Sequence, residues 1–152
     1  MKLENQCIVP AGWDATWDLL MDIPAAAALV PGVEDVTARE SGCYDARMQV
    51  RVGPMRLRFS GTVQLLEQDR RRGEARFHVE AADRQLGGSL KADMIMQLDR
   101  QSDSETGVSI STDVAFMGKL GELGQPLVRR KAATTLQDFA RNLSNRITAV
   151  SG

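Results

Sequence analysis

One histidine, His78, and two cysteines, Cys7 and Cys43, are the residues best suited to acid–base, nucleophilic or metal chemistry. His78 shares the parity of Arg76 and Glu80 in an alternating run, so it points to the wet side, whereas a general base must face a substrate pocket. A zinc site needs about four ligands, and these three residues cannot supply them. The positions that alternation turns inward hold no carboxylate pair, no Ser-His-Asp set and no lysine. Asp93 and Asp113 have outward parity. Catalysis therefore has no obvious agent, and no metal or cofactor is expected. Two groups of another kind stand out. Met48, Phe59, Phe77, Met94 and Met96 are long apolar side chains of inward parity. They serve either as plain core or as the lining of an apolar pocket, where Met adapts to irregular ligands. Arg47, Arg51, Arg56 and Arg58 cluster on adjacent strands at one hairpin end. They form either an ordinary charged face or a docking surface for an acidic partner or anionic lipid heads.

The elements that would position these groups follow from periodicity. Tyr44 to Val52 and Met55 to Leu65 alternate apolar and polar residues and are joined only by Gly53-Pro54. Folding them about that turn puts Val52 opposite Met55, Val50 opposite Leu57 and Met48 opposite Phe59. Every apolar residue then shares one face and every arginine the other; a one-residue slip would mix them. Gly at the first turn position suits a type II′ hairpin. Leu3–Val9 and Val33–Glu40 read as strands, as do runs beginning near Ala75, Leu90 and Val108. Trp13, Trp17, Leu20 and Met21 fall on one face of a helix over 12–21. Asp22 can cap a short helix built on Ala25–Ala28. The period then changes: Val128, Ala132, Leu136, Phe139, Leu143, Ile147 and Val150 form the seam of a helix over 126–150, roughly 37 Å long at 1.5 Å per residue. Strands segregated from helices mean a single α+β domain over 1–152, with about six to seven antiparallel strands curved around the terminal helix. A long helix laid on a strongly twisted sheet leaves a pocket. The Leu29, Pro31, Gly32, Val33 loop and the Gly87-Gly88 turn are placed to gate it.

Composition narrows the function. The formal net charge is −1, which argues against a general nucleic-acid binder. The first residues, MKLENQCIVP, lack the apolar stretch of a signal peptide. The longest apolar run, 24–31, is too short to cross a bilayer. A cytoplasmic protein with two reduced thiols is expected.

Segments KLENQCIVP at 2–10, TWDLL at 16–20, LVPGVE at 29–34, RVGP at 51–54, FSGTV at 59–63 and GKLGELG at 118–124 resemble, in order, the CoxG family of carbon monoxide dehydrogenase proteins. That resemblance covers nearly the whole chain. It implies a START-like, helix-grip fold around an apolar cavity, and a non-enzymatic accessory protein that binds a lipophilic, quinone- or lipid-like molecule. It further implies service to a molybdenum-containing hydroxylase of the carbon monoxide dehydrogenase type, at or near the inner face of the cytoplasmic membrane. Family members that attach to membranes carry a C-terminal extension; this sequence stops at Gly152, so peripheral contact is expected rather than anchoring. Val33 stands where the family often has Cys after Pro-Gly, and no role is carried to it. The alternatives are a START-like cyclase or hydrolase, which needs polar groups converging inside the cavity, and a recruitment or assembly factor working through its outer face.

Overall fold

The computed structural model describes residues 1–151, with side chains to Thr148. Strand β1 (Lys2–Val9) leads into helices α1 (Trp13–Met21) and α2 (Ile23–Ala27). Six strands follow: β2 (Val33–Glu40), β3 (Cys43–Val52), β4 (Met55–Asp69), β5 (Glu74–Asp83), β6 (Gly88–Ser102) and β7 (Glu105–Gly118). A 3-10 turn (Lys119–Glu122) precedes the long helix α3 (Gln125–Ser151). All neighbours in the sheet are antiparallel, in the order β1-β7-β6-β5-β4-β3-β2. The helix-grip arrangement expected from the sequence is thus the observed one.

The β3–β4 hairpin has the expected register: Val52 opposes Met55, Val50 opposes Leu57, and Met48 opposes Phe59. Gly53 takes φ 59°, the left-handed region that its turn position requires. Several strands run longer than periodicity suggested. The β6–β7 turn tightens to Asp103-Ser104, where a polar loop over 101–107 was expected. β4 continues beyond Leu65 through a register shift that leaves Leu66 56% exposed. The 3-10 turn was not anticipated. It buries Leu120 completely, against the hairpin end of the sheet.

The short helices form as their end residues dictate. Gly12 is the extended N-cap of α1, where the buried Thr16 hydroxyl donates to the Gly12 carbonyl at 2.8 Å. Asp22 caps α2 by accepting from the Ala25 N–H at 3.5 Å, with Pro24 in the first turn, where no N–H is needed. Trp13 stacks on Trp17 with ring centroids 5.4 Å apart. Arg70 lies over Trp13 and pairs with Asp14 at 3.0 Å and Asp18 at 2.6 Å, so this arginine, expected to be a solvated turn residue, ties the β4–β5 turn to α1.

α3 does not lie centrally over the sheet. It packs chiefly on β1, with lighter contact to α1 and β3. Leu136, Ala140 and Leu143 are its buried residues, Leu143 with no exposure at all. Phe139, expected with them, is only half-buried. Val150, the last residue of the expected seam, lies outside the described side chains. The Arg129 guanidinium donates to the Lys2 carbonyl at 2.9 Å on one flank. On the other, the Asn142 amide donates to the Leu29 carbonyl at 2.9 Å.

Leu143→Ala should lower unfolding free energy by about 2–5 kcal/mol, since it empties a closed site. Leu66→Ala should stay within about 0.5 kcal/mol. Urea unfolding of both variants checks the assignment of α3's seat; equal losses would contradict it.

Candidate functional site

The concave face between the sheet and α3 is not filled by one continuous core. Buried residues gather in three groups: around Trp17, Leu98 and Leu143 at the α1 end; around Leu3, Ala92 and Val114 near the start of α3; and around Val52, Leu57 and Leu120 at the hairpin tip. The inward residues Tyr44, Ala46, Met48, Val63, Ala81 and Met94 belong to none of these groups, and all are half-buried.

Strand register fixes how they are arranged. Val33, Met48, Phe59, Asp83 and Gly88 share one cross-strand row. The next inward row is Ala46, Gly61, Ala81, Leu90 and Phe116, then Tyr44, Val63, Val79, Ala92 and Val114. After it come Leu65, Phe77, Met94, Thr112 and Leu3. Met48 and Phe59 therefore face each other, and so do Phe77 and Met94. The two pairs stand six residues apart along the strands, at most about 20 Å at 3.3 Å per residue. They mark two ends of a trough rather than one knot. Met96, grouped with them from sequence, is 6% exposed and packed in the α1-end core, apart from the trough.

The trough's floor was not singled out from sequence. Ala46, Gly61 and Ala81 lie side by side on β3, β4 and β5, and their small size lowers the floor between the two large pairs. A Cβ on Gly61 would fall 1.9 Å from the Glu80 carbonyl oxygen. Glycine at this position lets β4 bend onto β5. Small residues at inward parity were the available signal.

The expected gate segments are held at the trough's edge. Gly32, at φ 92°, accepts a hydrogen bond from the Gln49 N–H at 2.8 Å, beside Met48. Leu29 packs on the α1-end core while Asn142 holds its carbonyl. Gly88 fits against Leu120, and the Gly87 carbonyl accepts from the Lys119 N–H at 3.3 Å.

One inward charge escaped the sequence reading, which ended the strand at Ala81. Its parity continues to Asp83, which is 1% exposed. One carboxylate oxygen accepts from the Arg58 N–H at 3.0 Å; the other accepts from Gln85 at 2.8 Å and Leu86 at 3.1 Å. Burial pushes this carboxyl's pKa up, but the three backbone donors outweigh it and hold the group below the ordinary carboxylate value. Asp83 thus closes the β5–β6 turn, with both oxygens occupied.

His78 lies on the convex face, as parity indicated. Its Nδ1 is 2.8 Å from Asp93 and its Nε2 is 3.5 Å from Glu80. The hydrogen bond to Asp93, opposed by partial desolvation, raises its pKa above the ordinary imidazole value. On the same face, Arg51 and Arg56 stand directly opposite each other, close to Arg58. Arg47 pairs with Asp35. Arg51, Arg56 and Arg58 form no ion pair among the described residues. The most marked depressions of the convex face are shallow and charged; one is edged by Lys2, Glu4, Arg76 and Asp93, the other by Asp35, Asp45 and Arg47. Among the described residues no helix is long and apolar enough to cross a membrane. Cys7 and Cys43 are free thiols, and burial raises the Cys7 pKa.

Residues 6–148 match the family of CoxG, the G component of carbon monoxide dehydrogenase. The chain belongs to that family. Comparison with curated proteins finds no match. Among solved structures, a conserved protein from Geobacillus kaustophilus is similar over 98% of this chain and 96% of its own, with TM-score 0.87 and 15% identity. A START superfamily protein from Mycobacterium smegmatis is similar over 98% of each chain, with TM-score 0.67 and 13% identity. The Zhui aromatase/cyclase from Streptomyces sp. R1128 is similar over 97% of this chain and 90% of its own, with TM-score 0.60 and 15% identity. At these identities the likeness establishes the START-like fold of this CoxG-family chain and nothing finer.

Two outcomes follow for the ionisable groups. Asp83, with its lowered pKa, contributes stability that is fully present above the unfolded aspartate value and is lost as pH falls through its folded value. Asp83→Asn should flatten that acid limb, and Asp83→Ala should cost about 1–3 kcal/mol; unfolding followed across pH 2–7 (roughly the carboxylate range) measures both. For His78, NMR titration should give a pKa above the ordinary value that drops in Asp93→Asn, while His78→Ala stays within about 0.5 kcal/mol in stability.

Proposed function

We propose that this CoxG-family protein binds a hydrophobic small molecule in the trough and does so without catalysing its conversion. The observation that carries the reading is the division of the core: three packed groups surround a run of half-buried inward residues, with Met48, Phe59, Phe77 and Met94 at its ends and Ala46, Gly61 and Ala81 as its floor. Burying about 300 Å² of ligand apolar surface there is worth roughly 7 kcal/mol before association costs, which fits micromolar binding. Leu29–Val33 and Gly87-Gly88 act as the mouth. The non-catalytic reading is supported by Asp83, whose oxygens are both engaged in the turn, and by His78, which is on the far face. In keeping with its family, the protein serves a molybdenum-containing dehydrogenase of the carbon monoxide dehydrogenase type, with a lipid- or quinone-like ligand and peripheral contact with the cytoplasmic membrane.

A second reading, recruitment of an acidic protein partner through the convex face, is favoured by one observation. Like charges directly opposite on paired strands are destabilising, yet Arg51 faces Arg56 with Arg58 close by. Arg47, already paired with Asp35, contributes less than the sequence suggested. Changing Arg51 and Arg56 to Glu should abolish capture of the dehydrogenase in a pull-down without changing ligand binding.

The trough itself is tested by filling it. Ala81→Leu should leave stability within about 1 kcal/mol, because the added methylenes enter open space, and should weaken binding of a neutral fluorescent probe. In a packed core the same change would cost about 1–3 kcal/mol. Paired thermal melts and probe titrations separate the two, and an overpacked, unchanged binder would sink the proposal.

A further inference from the structure

We infer that the trough takes an uncharged amphipathic molecule, with one carbonyl or hydroxyl group on an apolar body, and that Asn5 and Thr112 hold that group. The inference rests on the binding role proposed above and adds the chemistry of what is bound.

Asn5 shares the inward parity of the buried Leu3 and Val9, and Thr112 that of the buried Val108 and Val114. Leu3 pairs with Thr112 and Asn5 with Ile110, so Asn5 and Thr112 are diagonal neighbours on the concave face. Diagonal neighbours stand about 7–8 Å apart at Cα, close enough for both side chains to reach one small group. Thr112 is also directly opposite Met94, at the deep end of the trough. Both polar residues are half-buried, and neither side chain bonds another described residue. A hydroxyl and a carboxamide can each donate or accept, and together they suit a neutral carbonyl or hydroxyl. They interrupt an otherwise apolar wall.

The charges around the trough argue the same way. Asp83 is the only ionisable acid or base at inward strand positions among the described residues beyond the Met1 amino group and the thiol of Cys7 and phenol of Tyr44. Its oxygens are taken by Arg58, Gln85 and Leu86. The Met1 amino group is held by the Val114 carbonyl and Asp113. Arg51, Arg56 and Arg58 are on the opposite face of the sheet. On α3, Lys131 and Asp138 share the flank of Asn142 at the rim, with Asp138 paired to Arg141 at 3.3 Å. A carboxylate or phosphate drawn into the trough would lose its water and gain no cation.

The test uses three fluorescent probes with the intact protein. N-phenylnaphthylamine is neutral; anilinonaphthalene sulfonate is the same skeleton carrying an anion; propionyl-dimethylaminonaphthalene is neutral and carries a carbonyl. The neutral amine should bind about tenfold or more tightly than the sulfonate. Thr112→Val and Asn5→Leu should each weaken the carbonyl probe about five- to tenfold and leave the neutral amine unchanged, and Thr112→Ser should restore it. Thr112→Val keeps the side chain's shape, so it reports even where Asn5→Leu unfolds. A sulfonate that binds as well as the amine, or a carbonyl probe indifferent to Thr112→Val, overturns this inference while the trough stands. No binding of any probe overturns the trough and this inference with it.

Discussion

The architecture turns on where α3 sits. Its buried residues, Leu136, Ala140 and Leu143, face β1 and the α1-end core, and Arg129 fastens that flank to the first strand. A helix held to one side of a seven-stranded sheet cannot fill the concavity beyond it. The half-burial of Phe139 on the helix, and of Met48, Val63 and Ala81 on the sheet, is the outcome. Asn142 adds a single hydrogen bond from the opposite flank to the Leu29 carbonyl. The helix is thus fixed by packing on one side and by polar tethers at its margins.

The floor under this space is made by absence of side chain. Gly61 lies so near the β5 backbone that any Cβ would overlap it, which forces β4 to stay bent. Alanines on both neighbouring strands continue the low ground. The large residues that dominated the sequence reading stand at the two ends, so chain periodicity identified the right face and misjudged how its occupants are distributed.

That contrast explains what was legible beforehand. The hairpin register was readable because two strands of strict alternation met across a two-residue turn, and a slip would have put arginines beside Val50 and Leu57. The helix over 126–150 was readable because its seam is long. Asp83 was missed because its strand continued past the point where alternation of apolar residues stopped. Met96 looked the same as Met94 in sequence; only the packing of Trp17, Leu98 and Leu143 around it separates them. Arg70 could not be distinguished from Arg71 and Arg72 by sequence, because its partners Asp14 and Asp18 lie more than fifty residues earlier in the chain.

The pairing of β1 with β7 has a consequence for how the chain reaches this state. β2 through β7 form a continuous meander, each hairpin closing over a short turn and able to form from local contacts. β1 must instead wait for a strand about a hundred residues later, with Leu3 opposite Thr112. Its docking closes the largest loop in the sheet, and such non-local contacts slow folding. Until they form, Trp13 and Trp17 lack the Leu98 neighbourhood that covers them. The rate-limiting event of refolding should therefore be the arrival of the N-terminal segment on an assembled meander, and tryptophan emission would report that step rather than the earlier hairpins.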